Sequence, residues 1–226
     1  MLYFLDSAKL TLIESSLAKY PIDGVTTNPT ILARDIEDGM TLSELLREIR
    51  RLTAEKKLFV QVTSDTTDEM VLDAQAIANS LGGDLSIKVP SNTAGFAAIK
   101  KLKALGISTT ATACYTTSQA LLAAKSGADF IAPYVSHIDN LSLDGPAEAC
   151  AMASLLRSHD LDAQILAASF RTAAQVERCI AGGVTSVTVT AEMLDVLASH
   201  PGTDKELCSF RKNWSNRFGR GIRELL

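Results

Sequence analysis

The sequence predicts a (β/α)8 TIM barrel with an additional C-terminal helix, in one domain spanning residues 1–226, of which 203–226 form the helical extension. Three observations predict it. Short apolar runs alternate with longer amphipathic segments from end to end, as parallel strands joined by right-handed crossover helices require. The alternation repeats eight times, more often than open doubly wound sheets usually allow. No GxGxxG follows the first strand and no GxxxxGK[ST] occurs anywhere, which sets aside dinucleotide and NTP binding.

The predicted strands are LYFLD (2–6), GVTTN (24–28), LFVQVT (58–63), LSIKV (85–89), STTATAC (108–114), FIAPYV (130–135), QILAAS (164–169) and SVTVT (186–190). Each is short, apolar and rich in β-branched or aromatic residues. Helical patterns follow them, among them NTAGFAAIKKLKALG and TAAQVERCIAGG, whose closing glycines suit a left-handed C′ position. The last segment, TDKELCSFRKNWSNRFGRGIRELL, lies beyond the eighth unit and carries Leu207, Phe210, Trp214 and Phe218 at helical spacing. Such a stripe packs either on its own subunit or on another.

Composition bounds the function. The 226 residues are 46% hydrophobic and 21% charged with net charge −4, which is ordinary for a globular protein and provides no positive field to attract nucleic acid. Four scattered cysteines form no CxxC pair, and the three histidines make no ligand cluster with them, so neither a disulfide framework nor a metal site is expected. The N-terminus has no basic start followed by a long apolar core, and no apolar run approaches the roughly 20 residues that span a bilayer. The expected compartment is the cytoplasm, with no membrane partner.

Strand parity then finds a site. Side chains alternate across a strand, so in LSIKV the residues Leu85, Ile87 and Val89 face the helices while Ser86 and Lys88 face the barrel interior. The same rule brings inward Asp6, Thr26 with Asn28, Gln61 with Thr63, Thr112, Tyr134, Ser169 and Thr190, all near C-terminal strand ends. That end is where barrels of this kind build active sites.

Any one polar strand end is usually a cap or turn residue. A ring containing Lys, Asp, Asn, Gln and Tyr is different. An exposed lysine, with a pKa of about 10.4, is a poor nucleophile at pH 7, whereas burial lowers the pKa and prepares the amine to form a Schiff base with a carbonyl. The alternative for Lys88 is a structural ion pair with Asp6. Tyr134 is either a hydrogen-bonded core phenol or the proton carrier, with Gln61 and Thr112 able to hold an intervening water and Asp6 to orient the amine. In AASFRT, Ser169, Arg171 and the unpaired amides of a helix start offer an anion site, unless the arginine is simply solvated or paired.

LYFLD, DGVTTNPTIL, IKVP, APYV and LAASF occur in an order and spacing that resemble the transaldolase family, in its short-chain branch that includes fructose-6-phosphate aldolase. The resemblance covers essentially the whole chain. It implies a cofactor-independent aldolase with Lys88 as Schiff-base residue, Asp6 and Asn28 beside it, and Thr112 and Tyr134 in the acid/base region. It also implies a small sugar or sugar-phosphate substrate and a homo-oligomer, a pentamer or decamer joined through the terminal helix. Transaldolases carry glutamate and phenylalanine where this chain has Gln61 and Tyr134, so both positions match the aldolase branch. One position departs: where the family commonly has a phosphate-holding arginine after APYV, this chain has His137, which is at most partly charged at pH 7 and cannot make a guanidinium's bidentate contact. The alternatives are a transaldolase and a barrel that binds a sugar without turning it over.

Overall fold

A computed structural model describes residues 1–226. Eight parallel strands close a barrel in sequence order: β1 (Leu2–Asp6), β2 (Gly24–Thr26), β3 (Lys57–Gln61), β4 (Leu85–Pro90), β5 (Thr109–Cys114), β6 (Phe130–Pro133), β7 (Gln164–Ala167) and β8 (Ser186–Val189). β8 pairs with β1 from Leu2↔Ser186 to Leu5↔Val189, which completes the (β/α)8 barrel expected from the sequence.

The connecting helices are α1 (Leu10–Lys19), α2 (Pro29–Asp35), α3 (Leu42–Thr53), α4 (Thr67–Leu81), α5 (Thr93–Ala104), α6 (Thr117–Ser126), α7 (Val135–Asp139), α8 (Gly145–Ser158), α9 (Ala173–Ala181) and α10 (Ala191–Ala198), followed by α11 (Pro201–Phe218). Local chemistry starts most of them. Thr41, Thr116 and Thr172 each close a capping box, and Asn28, Thr66, Asn92 and Asp144 accept a first-turn amide. No helix is long and apolar enough to cross a membrane.

All eight expected strands are present, but β2, β3, β6 and β7 stop two residues earlier than their sequence patterns. The polar residues at those ends bond outside the strand ladders. Asn28 caps α2, the amides of Thr63 and Ser64 donate to the Asp73 carboxylate, and Ser169 turns into a left-handed conformation at φ 60. Thr63, expected inside the barrel with Gln61, is therefore exposed.

Parity holds within the ladders. Phe4, Phe59, Phe130 and Leu166 point inward and form a buried cluster, with Phe59 edge-on to Phe4 at 4.9 Å and to Phe130 at 5.3 Å. Burying each such ring contributes about 1.5–3 kcal/mol. Asp6, Gln61 and Ala168 follow Phe4, Phe59 and Leu166 by two residues, so the aromatic layer forms the floor beneath the polar one.

The chain divides into two compact units, Met1–Ala191 and Glu192–Leu226. The expected boundary at Thr203 falls inside α11. That helix starts at Pro201, where a fixed φ costs no hydrogen bond, and ends before Gly219, which adopts the left-handed cap at φ 65. Residues 219–226, expected to continue the helix, instead contain a short 3-10 turn (Ile222–Glu224), and the Trp214 indole donates to the Arg220 carbonyl at 2.7 Å.

β2 and β3 approach too closely for a side chain at Gly24, where a Cβ would lie 1.9 Å from the Lys57 carbonyl oxygen. Backbone cannot yield as a flexible side chain does. Gly24→Ala should lower stability by about 1–3 kcal/mol, seen as a lower denaturant midpoint with an unchanged slope; an unaltered midpoint would mean that the strands separate freely.

Candidate active site

The C-terminal mouth of the barrel opens into a cavity of about 480 Å³, and seven side chains expected to face it from strand ends or the first residues beyond them do so: Asp6, Asn28, Gln61, Lys88, Tyr134, Ser169 and Thr190. His137 lines it as well. Register places Lys88 between Gln61 on β3 and Thr110 on β5, one layer above the Ser86 to Thr110 hydroxyl contact of 2.7 Å.

Lys88 is only 5% exposed, and its Nζ donates to the Thr27 carbonyl at 2.8 Å. Burial pushes its pKa down, against the attraction of Asp6. Asp6 is pushed up by burial, against Lys88 and a hydrogen bond from Thr26. Both groups are thus drawn towards their neutral forms, while each supports the charge of the other. Thr26, fully buried, donates to Asp6 Oδ1 at 2.7 Å, and its one hydroxyl proton being so used, it accepts from Thr188 at 2.5 Å.

Across the cavity, the Tyr134 hydroxyl lies 3.1 Å from Thr112 Oγ1. Burial raises the phenol's pKa, so it stays protonated. Thr112 reaches it because β5 carries a bulge: Ala111 pairs with Ile131 but Cys114 with Pro133, and Ala113 takes φ 54. Gln61 Oε1 is buried with no hydrogen-bond partner in the protein. An acceptor in that state calls for a donor, either a water or a substrate hydroxyl.

The family model described as transaldolase/fructose-6-phosphate aldolase matches residues 3–224. The chain belongs to this family. Its 226 residues are consistent with the short-chain branch, and aldolase/transaldolase-type chemistry is its function class.

In this family member the outer rim differs from the expectation. Ser169 reaches the cavity through its left-handed turn and not by strand alternation, since β7 ends at Ala167 and its inward set is Leu166 with Ala168. Its hydroxyl lies 2.9 Å from Ser136. The helix start behind it does not offer the unpaired amides expected there. Gln175 Oε1 accepts from the amides of Arg171 and Thr172 at 2.8 and 3.1 Å, and the Gln175 amide donates to Thr172 at 3.3 Å. Arg171 is exposed, donates to Asn140 Oδ1 at 3.3 Å, and is not among the residues that line the cavity. His137 lies edge-on to Tyr134 at 5.4 Å and has Nδ1 3.3 Å from the Tyr115 hydroxyl.

Sequence reasoning missed Thr188, which shares the inward parity of Thr190, and Tyr115, whose loop carries no strand pattern. It also missed Thr30, Ile31 and Arg34, which reach the cavity from α2. The available signal was the spacing Asn28, Ile31, Arg34, one face of a helix starting at the end of β2.

Because burial favours the neutral amine, Lys88 should titrate below the ordinary lysine value of 10.5. Asp6 holds it up, so Asp6→Asn should move the midpoint lower still. Competitive acetylation of Lys88 as a function of pH measures both; a midpoint at the ordinary value, or a rise in Asp6→Asn, would contradict the balance described.

Proposed function

We propose that this protein is a class I aldolase of the fructose-6-phosphate aldolase kind. It cleaves and forms the bond between a short hydroxyketone, such as dihydroxyacetone, and an aldehyde, such as glyceraldehyde 3-phosphate, without a cofactor. The neutral Lys88 amine attacks the ketone carbon, the carbinolamine hydroxyl takes up a proton and leaves as water, and the positive iminium that results stands beside the Asp6 carboxylate. In cleavage, a proton leaves the aldol hydroxyl, the adjacent carbon–carbon bond breaks, and its electron pair enters the iminium to give an enamine and a free aldehyde. Protonation of the enamine carbon and hydrolysis of the iminium then release the ketone and restore Lys88.

Tyr134, held by Thr112, is the proposed proton carrier, directly or through a water accepted by Gln61. Asn28 uses its Oδ1 to cap α2, which leaves its side-chain NH2 to donate to the donor hydroxyls. Ser169 and His137 stand at the acceptor end of the same cavity.

The observation that supports this assignment is an amide at position 61 and a phenol at position 134, not a glutamate and a phenylalanine, lining the cavity with Lys88 and Asp6. A transaldolase passes the enamine to a second aldehyde, whereas these two neutral groups suit its protonation and the release of free ketone. Borohydride with dihydroxyacetone should fix mass on Lys88, and Tyr134→Phe should slow ketone release by about 100-fold or more while trapping persists. Efficient transfer without release would favour the transaldolase, and no adduct would leave a barrel that only binds sugar.

The proposal extends to a homo-oligomer. No residue of α11 is buried, and Leu207, Phe210, Trp214 and Phe218 remain 38–60% exposed on it, an apolar stripe unusual for a monomer. Light scattering at micromolar concentration should give several times the mass of one chain, reduced by Phe210→Asp with Trp214→Asp. A monomeric wild type would refute it.

A further inference from the structure

Asp6, the one carboxylate among the residues lining the cavity, is held by a chain of two hydroxyls. Thr26 Oγ1 donates to Asp6 Oδ1 at 2.7 Å, and Thr188 Oγ1 lies 2.5 Å from Thr26 Oγ1. A hydroxyl has one proton, so while Asp6 is ionised the order is fixed: Thr188 donates to Thr26, and Thr26 to Asp6. Both threonines are buried, which keeps water from replacing either link.

The register of the barrel builds this chain. Thr26 on β2 pairs with Asp6, and Thr188 on β8 pairs with Phe4, so the two hydroxyls meet across β1 from the strands on either side of it, between the polar layer and the aromatic floor. The residue after Thr26 serves the amine, since the Thr27 carbonyl accepts from Lys88 Nζ. The end of β2 therefore holds both members of the charged pair, and the hold on the carboxylate continues to β8.

The chain also accommodates a change of charge. Once Asp6 carries a proton, its hydroxyl can donate to Thr26 and Thr26 to Thr188, with the same oxygens in place. The bonds to the ionised form are the stronger because they are charge-assisted, so the chain favours the carboxylate. The other groups that bear on Asp6 are Lys88 and Arg34, which favour its charge, and Asp35, which opposes it, while the Tyr134 phenol and the His137 imidazole share its cavity.

We propose that Thr188 is a positioning residue for the Schiff-base step: acting through Thr26, it keeps Asp6 ionised and fixed in orientation while the positive iminium forms on Lys88. This assignment rests on the aldolase mechanism above. Its effect needs no contact with substrate, because it passes through the single hydroxyl of Thr26.

The test compares wild type with Thr188→Val, which keeps the branched shape but removes the hydroxyl, Thr188→Ser, which keeps the hydroxyl, and Thr26→Val. One readout is the titration midpoint of Asp6, followed by carbon NMR with carboxyl-labelled aspartate and identified by its loss in Asp6→Asn. The other is kcat and KM against pH for addition of dihydroxyacetone to glyceraldehyde 3-phosphate. Thr188→Val should raise the Asp6 midpoint and move the acidic limb of kcat to higher pH, since the carboxylate loses support. At neutral pH it should lower kcat by about 3- to 10-fold, the loss of one neutral hydrogen bond, with KM changed by less than about twofold. Thr26→Val should exceed it in each respect, and Thr188→Ser should restore most of the loss. An Asp6 midpoint or a kcat profile unmoved in Thr188→Val, or an equal loss in Thr188→Ser, would overturn the assignment. If wild type forms no borohydride adduct with dihydroxyacetone, the aldolase mechanism fails and the step named here with it, while the Asp6 midpoints still decide whether the hydroxyl chain governs the charge of that carboxylate.

Discussion

The structure depends on keeping one amine out of water. An isolated buried ammonium costs several kcal/mol, and the barrel surrounds Lys88 with what limits that cost. The Thr27 carbonyl accepts from Nζ, Asp6 supplies an opposing charge, and the hydroxyls of Thr26 and Thr188 supply the carboxylate with a donor chain. Below them the ring cluster of Phe4, Phe59 and Phe130 excludes water from the floor, so the amine is reached through the C-terminal mouth. A polar layer on an aromatic one follows from strand parity, and a one-residue slip of β4 would turn Lys88 towards the helices and an apolar neighbour into the site.

The site's finer geometry comes from places where regular strands are abandoned. Ala113 and Ser169 take left-handed φ values of 54 and 60 without being glycine, a conformation that costs such residues about 1–3 kcal/mol each. Both sit beside functional side chains. The Ala113 bulge lets Thr112 meet Tyr134, and the turn at Ser169 redirects a side chain that alternation alone would have faced to the helices. Pairing of Tyr134 with Ala168 as an isolated bridge, and the Ser136 to Ser169 backbone bond of 2.8 Å, tie the end of β6 to that turn.

What the sequence made legible follows the same division. Period-two alternation is a property of the chain itself, so eight strands, the inward Lys88 and the positions of Asp6, Thr26, Gln61 and Thr112 could be read directly. Asn28 and Tyr134 were also placed correctly, although they cap helices and are not in strands, because Asn28 keeps an extended backbone beyond β2 and Tyr134 still bridges to Ala168 beyond β6. Parity gave no guide where the backbone turned. Ser169 was assigned inward for a reason that does not apply, and Arg171 was assigned to an anion site that the Gln175 side chain already fills. The glutamine three residues after Thr172 is a capping-box signature visible in the sequence, and it argues against free amides at that helix start. Arg34 escaped because inward-facing positions were sought on strands alone.

The charges around Lys88 bear directly on the proposed mechanism. A second permanent cation next to Lys88 would favour the neutral amine but would oppose the iminium of the proposed mechanism, since that intermediate is positive. Neutral Gln61, Thr112 and Tyr134 line the reacting centre without imposing that conflict. Arg34 lies farther out on α2, where its field favours the Asp6 carboxylate and that of its bonded partner Asp35 opposes it. Bonded to each other, the two largely offset one another at the reacting centre. A cation at the Gln61 position would stabilise the free amine at the expense of that intermediate, so a neutral amide there suits the proposed chemistry.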